Sequence, residues 1–337
     1  MKLKYLIISL LFLVFSCTSP VKEEVLTING NTMGTTFSVK FTSPSPVDII
    51  EIEKDINSLL IELNRQMSTY IPNSELSRFN KSTDTTWVSV SEDLAYVVNS
   101  AQKISEISEG LFDITIGPAV NIWGFGPDNK PQFVPNKEAI EKALKLVGYK
   151  NIQVKLNPPE IKKSNPNVYC DLSAIAKGFG VDIVSEYLTQ KGLTNYLVEI
   201  GGELRASGAK FKDKWKVGIS VPSQDNTIQE TITLSNQSMA TSGDYWNYFE
   251  EDGIRYSHTI NPITGKPITH KLASVTVVAK TCMEADALAT AIDVMGPELG
   301  LKFATKNELN VYFIVKGKNG FESFSTESFI DLKSKGN

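Results

Sequence analysis

The chain has 337 residues, 41% of them hydrophobic, and a formal net charge of −4 at pH 7. A chain of this size can bury a large core, as one large domain or two closely coupled subdomains. Its acidic balance and lack of a basic cluster argue against nucleic acid as a partner, and no zinc-binding pattern, internal repeat or low-complexity tract occurs.

The N-terminal stretch predicts export. Lys2 and Lys4 precede an apolar run over 6–15, which is typical of a secretory signal and short for a transmembrane helix. Ser16–Cys17 then follows the pattern of a bacterial lipoprotein cleavage site. We expect a signal peptide at 1–16, lipidation at Cys17, a tether at 17–26 and a folded domain at 27–337, with simple secretion as the alternative.

The first third of the domain predicts one strand and two helices. A strand is expected over 36–41 after a bend at Met33–Gly34, with its inward residues alternating. Residues 47–65 have helical periodicity, and Ser91 is placed to cap a helix over 92–107 that ends at Gly110. The inward strand residues are Phe37, Val39 and Phe41, and the apolar helix side holds Ile49, Ile52, Ile56, Leu59 and Leu63.

Two segments of this region carry polar or aromatic groups whose role stays open. Ser68 and Tyr70 lie in a polar, turn-rich stretch that by itself indicates an ordinary surface loop. Leu111–Phe112–Asp113 follows a glycine, where an aromatic ring and a carboxylate could flank a flat ligand, although Phe112 is equally suited to a core. A further helix is expected over 136–147, closed by Gly148.

The stretch from Cys170 to Asp182 predicts a strand end at 168–170 and then a helix reaching Gln190. Lys177 would lie in the first turns, where unpaired N–H groups and the helix dipole favour anions. Gly178 and Gly180 suggest close backbone packing or approach to a ligand. A purely structural helix start would show many of the same features.

The next strands are expected at 196–200, 215–219 and 231–234. The first ends in Gly201–Gly202, where a backbone can pass close to a phosphate or ring. Farther along, Ser242 and Gly243 offer hydroxyl and backbone donors.

The C-terminal part predicts a turn at 261–265, a buried strand over 272–279 and a helix from Thr281 to Gly296–Pro297. Asp286, Thr290 and Asp293 share one face of that helix, opposite a core stripe. The oxygens of Asp286 and Thr290 suit a hard cation, although a solvated face is the alternative. The core stripe is expected to hold Leu288, Ile292 and Met295.

Three other groups in this half of the chain need an assignment. His258 lies on the approach to the turn, whereas His270 is expected at the surface. Cys170 and Cys282 flank the same region, and the sequence leaves open whether they pair. Helices and strands follow one another without a regular βαβ repeat, and no GxGxxG motif follows a strand. The predicted fold class is therefore α+β and not Rossmann.

The ordered set of motifs resembles the ApbE family of periplasmic flavin transferases. It runs through TMGT at 32–35, MSTY at 67–70, GLFD at 110–113, DLSAIAKGFGVD at 171–182, GGE at 201–203, TSGDY at 241–245, HTINPITG at 258–265 and ADALAT at 285–290. The resemblance implies mixed sheets with packed helices, FAD as substrate, Mg²⁺ as cofactor, and transfer of FMN to a threonine hydroxyl of an exported acceptor protein, with release of AMP.

The resemblance also implies roles for individual residues. His258 would be the base, and Mg²⁺ would be held by Asp286, Thr290 and the backbone carbonyl of Ala174. Lipid anchoring would place the protein at a bacterial membrane of the cell envelope, facing the periplasm or exterior. The expected FAD-binding residues are Met33, Ser68, Tyr70, Leu111, Phe112, Asp113, Asp171, Lys177, Gly201, Ser242, Gly243 and Ile260.

Two other functions remain open at the level of sequence. One is a Mg²⁺-dependent FAD pyrophosphatase, in which water replaces the threonine. The other is a non-enzymatic FAD-binding lipoprotein. His258, Asp286 and Thr290 together favour an enzyme over a binder.

Overall fold

A computed structural model of the protein describes residues 24–127, 133–222, 227–243 and 248–333. The predicted signal peptide and Cys17 lie outside the described residues. The strands are, in chain order, β1 (Leu26–Thr32), β2 (Thr35–Thr42), β3 (Val88–Ser89), β4 (Ile152–Leu156), β5 (Pro159–Lys163), β6 (Asn195–Ile200), β7 (Glu203–Ser207), β8 (Trp215–Ser220), β9 (Ile228–Leu234), β10 (Gln237–Gly243), β11 (Tyr248–Glu251), β12 (Ile254–Ser257), β13 (Ile260–Asn261), β14 (Lys266–Pro267), β15 (Leu272–Ala279), β16 (Asn310–Gly317) and β17 (Gly320–Ser325).

Helices flank these strands, and most lie before β6. They are α1 (Ile49–Met67), α2 (Glu75–Lys81), α3 (Glu92–Ile107), α4 (Gly117–Ile122), α5 (Lys137–Leu144), α6 (Ala176–Gln190), α7 (Cys282–Lys306) and α8 (Glu327–Ile330).

The centre of the fold is an eight-stranded sheet in the order β1-β2-β6-β7-β10-β15-β16-β17. Every neighbouring pair in it is antiparallel. The fold is therefore α+β and not Rossmann, as predicted. The chain between β2 and β6 leaves the sheet, forms α1 to α6 with the small β3-β5-β4 sheet, and returns beside the strand it left.

Different layers cover the two faces of the sheet. Val275 and Val277 of β15 pack with Leu288 and Ile292 of α7 in the largest hydrophobic cluster. On the other face, side chains of β7, β10 and β16 pack against the β8–β9 hairpin and Phe329 of α8. Because both faces are covered, β15 is almost wholly buried, which explains why its sequence is mostly apolar and β-branched.

Several local predictions are confirmed. Met33 and Gly34 both have positive φ, 50° and 73°, which makes the two-residue turn that suits a β1–β2 hairpin. The Oγ of Ser91 accepts the Leu94 N–H at the start of α3, and the Thr281 Oγ1 accepts the Glu284 N–H at the start of α7. Phe37, Val39 and Phe41 are buried as expected.

Other local predictions are wrong or incomplete. Residues 168–170 are not a strand, because both backbone groups of Cys170 bond the side-chain amide of Asn80, at 2.8 Å each, instead of a neighbouring strand. Leu60 takes the buried place expected for Leu59 on α1. The helix expected over 136–147 ends at Leu144.

The C-terminal helix breaks where predicted, but it does not end there. Gly296 has non-helical dihedral angles, with φ at 75° and ψ at 179°, and a second helical segment continues to Lys306. His270 is wrongly expected at the surface. Pro297 has no N–H to donate to the carbonyl of Asp293, and His270 Nε2 donates to that carbonyl instead, at 2.6 Å.

The two cysteines of the described region are free and buried, in different hydrophobic clusters. Burial raises the pKa of both thiols well above its usual value. Among the described residues, no helix combines the length and apolar character that crossing a bilayer requires.

Candidate active site

A loop before α6 forms one wall of the site. Its start is fixed by the Asn80 amide and by the Asp171 N–H, which donates to the carbonyl of Ile114 at 2.7 Å. Asp171 then accepts bonds from the backbone N–H and hydroxyl of Ser173, closing a tight turn. This turn brings Ala174 to a cavity and starts α6 there, so that Lys177 reaches the same space.

A second wall follows α3. Gly110 has φ of 81° and reverses the chain, after which the Phe112 N–H donates to Ser108 Oγ. Phe112 is buried in the main core, as the core alternative expects, and it also borders the cavity. Burial raises the pKa of Asp113, against the opposing effect of two hydrogen bonds from Thr115.

The polar face of α7 forms the base of the site, and it is not a solvated face. Asp286 is only 5% exposed and its Oδ2 accepts the Gly178 N–H of α6 at 3.0 Å. A Cβ on Gly178 would lie 2.3 Å from the Cys282 carbonyl oxygen. Gly178 therefore allows the close approach of α6 and α7 that creates this bond.

Lys177 lies between two buried carboxyl groups. Its Nζ is 3.3 Å from Glu203 Oε1 and 3.6 Å from Asp286 Oδ1. Burial alone would lower the pKa of Lys177, but the two carboxylates outweigh it and raise that pKa. Burial raises the pKa of Glu203 to about 8, although the neighbouring ammonium opposes the shift.

Glu203 was not among the predicted site residues. It begins β7 directly after Gly201–Gly202, in a GGE motif whose glycines alone received a predicted role. Both glycines have positive φ, and Gly201 packs on Thr35 at the turn between β6 and β7. The missed signal is an acidic residue at the start of a buried strand, where an unpaired charge is costly.

His258 also lines the cavity, and it lies between β12 and β13. Its ring meets Phe125 edge-on, with 6.4 Å between ring centroids. The next residue, Thr259, donates through its hydroxyl to Asp293 Oδ2 at 3.2 Å, and the Ser242 hydroxyl donates to the same oxygen at 3.1 Å. Asp293, one turn beyond Thr290 on α7, thus connects the segment next to His258 and the end of β10 to the helix.

The hairpin after His258 is fixed by its own turn and by a tryptophan. Asn261 Oδ1 accepts the N–H groups of Ile263 and Thr264, and Gly265 has φ of 65°. The Trp123 indole N–H donates to the Gly265 carbonyl at 2.8 Å. The predicted turn is confirmed, and Trp123 supports the wall while Phe125 borders the cavity itself.

The first cavity, of about 410 Å³, collects most of the predicted site residues. A second cavity, of about 700 Å³, adjoins it and shares Tyr70, Ser173 and Lys177 with it. Met33 and Ser68 line only the second cavity, and Gly201 lines neither. The predicted residues that line the first cavity are Tyr70, Leu111, Phe112, Asp113, Asp171, Ala174, Lys177, Ser242, Gly243, His258, Ile260, Asp286 and Thr290.

The residues proposed for Mg²⁺ fit a hard cation. Asp286, Thr290 and Ala174 offer a carboxylate, a hydroxyl and a backbone carbonyl around one cavity. Mg²⁺ in proteins is commonly bound by one or two carboxylates together with waters and substrate phosphates. In the part of the chain that the structure describes, no three histidine, cysteine, aspartate or glutamate side chains cluster as metal ligands, so a denser acidic site is not offered there.

Comparison with known proteins gives consistent matches over nearly the whole chain. The ApbE family profile matches residues 33–313. The chain is 43% identical to an FAD:protein FMN transferase of Vibrio cholerae, covering 96% of this chain and 97% of that protein. It is 35% identical to an FAD:protein FMN transferase of Escherichia coli K12, covering 91% and 88%.

Solved structures agree with these sequence matches. The flavin transferase ApbE from Vibrio cholerae superposes with a TM-score of 0.85 at 42% identity, over 92% of this chain and 99% of that one. The apo form of Pseudomonas stutzeri flavinyl transferase ApbE gives a TM-score of 0.86 at 36% identity, over 94% and 98%.

Proposed function

Because this chain belongs to the ApbE family, we propose that it is an enzyme that transfers FMN from FAD to an acceptor protein. The observation that carries the proposal is the convergence of His258, Lys177 and Asp286 on one cavity. These residues come from distant parts of the chain and would supply a base, a cation and a metal ligand. The adjoining second cavity extends the space available to a long dinucleotide.

The reaction has a simple balance of bonds. An acceptor hydroxyl oxygen bonds to the phosphorus of the FMN half, the bond from that phosphorus to the bridging oxygen breaks, and AMP leaves with the electron pair. Such phosphoryl transfers depend mainly on placement and on neutralisation of charge. Lys177, in the first turn of α6, fits the second requirement, because its ammonium and the helix start both favour phosphate oxygens.

We propose that Asp286, Thr290 and the Ala174 carbonyl hold the Mg²⁺ of this reaction. When bound, the metal would supply further charge neutralisation at the phosphate oxygens. The support is the oxygen-only donor set that borders the first cavity, with the Asp286 carboxylate already oriented by the Gly178 N–H.

We propose that His258 takes the proton of the acceptor hydroxyl and that this hydroxyl belongs to a threonine. A hydroxyl is a weak nucleophile at neutral pH, so a base whose pKa lies near the working pH accelerates its attack. The support is the position of His258 on the wall of the first cavity, next to Thr259, whose hydroxyl donates to Asp293.

The function is tested by incubating the protein with FAD, MgCl₂ and a candidate exported acceptor. We expect covalent flavin fluorescence on the acceptor in a denaturing gel, one AMP per flavin attached, and no labelling of an acceptor whose target threonine is alanine. AMP formed without labelling would instead indicate an FAD pyrophosphatase. Binding of FAD with neither product would indicate a flavin-binding protein.

We also propose that the protein is lipid-anchored through Cys17 at a bacterial membrane, facing the periplasm or exterior. The support is the sequence itself, in which an apolar run over 6–15 leads directly to Ser16–Cys17. The acceptor proteins are then exported proteins or the outward-facing parts of membrane proteins.

A further inference from the structure

Lys177 is shared by two carboxylates on the cavity wall. Glu203 Oε1 lies 3.3 Å from its Nζ and Asp286 Oδ1 lies 3.6 Å away. The side chains of Glu203 and Asp286 are each 6% exposed, and that of Lys177 is 28% exposed. One ammonium therefore lies beside two carboxyl groups that are nearly removed from water.

The two oxygens of Asp286 have different surroundings. Oδ2 accepts the Gly178 N–H at 3.0 Å, and the glycine cannot withdraw because α6 and α7 are in close contact there. Oδ1 faces Lys177. A divalent cation at Asp286 would use Oδ1, and an ammonium beside that oxygen would repel it. Lys177 and the metal therefore compete for one oxygen.

Glu203 offers Lys177 another place. Its Oε2 is buried and accepts no hydrogen bond from another described residue. An ammonium has three N–H donors, so Lys177 can bond both oxygens of Glu203 and still reach the Ser173 carbonyl, now 3.5 Å away. Glu203 itself is held at the start of β7 in the central sheet.

We propose that Glu203 is a positioning residue that withdraws Lys177 from Asp286 when a divalent cation binds. Asp286 then exchanges an ammonium for the metal, while Lys177 stays at the cavity wall beside the phosphates. The inference rests on the proposed metal site at Asp286. This inference predicts that a shorter acidic side chain at position 203 weakens metal binding even though a carboxyl group is kept.

The test measures binding of MgCl₂ alone, by titration calorimetry on the FAD-free protein. Glu203→Gln removes the charge, whereas Glu203→Asp keeps it on a side chain one methylene shorter. We expect both to weaken Mg²⁺ binding at least about tenfold, because Lys177 remains on Asp286. The matched control is Glu199→Gln, which removes a charge on the adjacent strand and keeps an oxygen for the Gly202 N–H; it should change affinity less than about twofold.

Three results would overturn the inference. If Glu203→Asp binds Mg²⁺ with wild-type affinity, Glu203 acts only through its charge. If Glu199→Gln loses as much Mg²⁺ affinity as the Glu203 variants, the effect comes from the overall negative charge near the site and not from Glu203. Crystal structures of the wild-type protein with and without Mg²⁺ test the movement of Lys177 without any substitution. Lys177 Nζ should leave Asp286 Oδ1 and bond both Glu203 oxygens, and a distance to Oδ1 still below 4 Å with the metal bound would refute this.

The same titration separates this inference from the function it deepens. Wild-type protein that binds no Mg²⁺, either alone or in the presence of FAD, would remove the proposed metal site and this inference with it. Wild-type protein that binds Mg²⁺ with the expected pattern of variants but transfers no FMN would refute the proposed function alone.

Discussion

The two histidines of this chain have different neighbours and allow a matched pair of substitutions. His258 borders the first cavity, whereas His270 bonds the Asp293 carbonyl at the α7 break. A general base contributes about 10²–10⁴-fold to rate and little to ground-state affinity. We expect His258→Ala to bind FAD nearly as tightly as wild type, by flavin fluorescence quenching, with single-turnover FMN transfer at least about a hundredfold slower.

The companion variant is His270→Ala. It should lower the melting temperature, because the Asp293 carbonyl loses its donor, but transfer per folded molecule should stay close to wild type. Unchanged transfer in folded, FAD-saturated His258→Ala protein would remove His258 from the mechanism. Parallel losses of stability, affinity and rate would make it a structural residue.

Asp286→Asn tests the metal with little disturbance of packing. The amide oxygen can still accept the Gly178 N–H, so the α6–α7 contact should persist, whereas a neutral side chain binds Mg²⁺ poorly. We expect transfer at ordinary Mg²⁺ to be abolished and circular dichroism to be unchanged. Glu284→Gln, an exposed charge loss on the same helix, should transfer like wild type.

Chelation gives the same test without a substitution. EDTA should stop transfer by the wild type, and added MgCl₂ should restore it. Full transfer in EDTA would contradict a metal requirement.

At the scale of single residues, the sequence predicted site residues that belong to a recognisable motif. It did not predict residues whose role depends on a hydrogen bond to a distant part of the chain. His258, Lys177, Asp286 and Thr290 were predicted, and all four border the first cavity. The bond between the Asn80 amide and Cys170 spans 90 residues, and no local pattern indicates it. Asp293 was placed on the correct helix face, but its bonds to Ser242 and Thr259 depend on how three elements meet.

At the scale of elements, the contact between α6 and α7 determines whether the site forms. Gly178→Ala would place a Cβ 2.3 Å from the Cys282 carbonyl oxygen, which belongs to rigid helix backbone. Alanine gains about 1 kcal/mol of helix propensity over glycine, but overpacking typically costs about 1–3 kcal/mol. We expect a lower free energy of unfolding and weaker Mg²⁺ binding, because the helices must separate at Asp286.

Gly180→Ala, two residues along the same helix, is the control. The three atoms nearest its Cβ would be the side-chain ends of Leu63, Ile200 and Met33, at 3.2–3.3 Å, and these can shift. The free energy of unfolding of this variant, measured by urea denaturation, should lie within about 1 kcal/mol of the wild-type value. Equal destabilisation of the two variants would show that the helix contact is less tight than described.

Caps, turns and periodicity predicted the longer helices and several of the strands, and tertiary contacts explain where their boundaries differ. The strand β15 and the starts of α3 and α7 follow from residues within a few positions. The continuation of α7 beyond Gly296 depends on His270, which supplies the donor that Pro297 lacks. The hairpin strand β1 was not predicted, and its pairing with β2 establishes it.

At the scale of the whole molecule, Cys17→Ser tests the proposed anchor. The variant should still be exported but should lack acyl chains, so it should move from the membrane fraction to the soluble envelope fraction. Mass spectrometry of the mature N-terminus and fractionation measure the two effects. A wild-type protein that is soluble and unacylated would contradict anchoring and favour simple secretion.

The sequence predicted the α+β class, but the order of strands in the sheet was beyond it. Composition and the irregular alternation of elements distinguish α+β from a doubly wound sheet. Which strands become neighbours depends on burial of both faces, and only the assembled layers of α7 and the β8–β9 hairpin show that.

The pairing of Thr42 with Asn195 has a consequence for the order of folding events. Joining β2 to β6 closes a loop of about 150 residues, which costs about 2 kcal/mol more chain entropy than closing a ten-residue hairpin. Helices inside that loop can form from local contacts before β2 pairs with β6. The far-ultraviolet circular dichroism signal should therefore recover early when urea is diluted. Flavin affinity should return later, because Lys177 belongs to the loop whereas His258 and Asp286 come from chain beyond it.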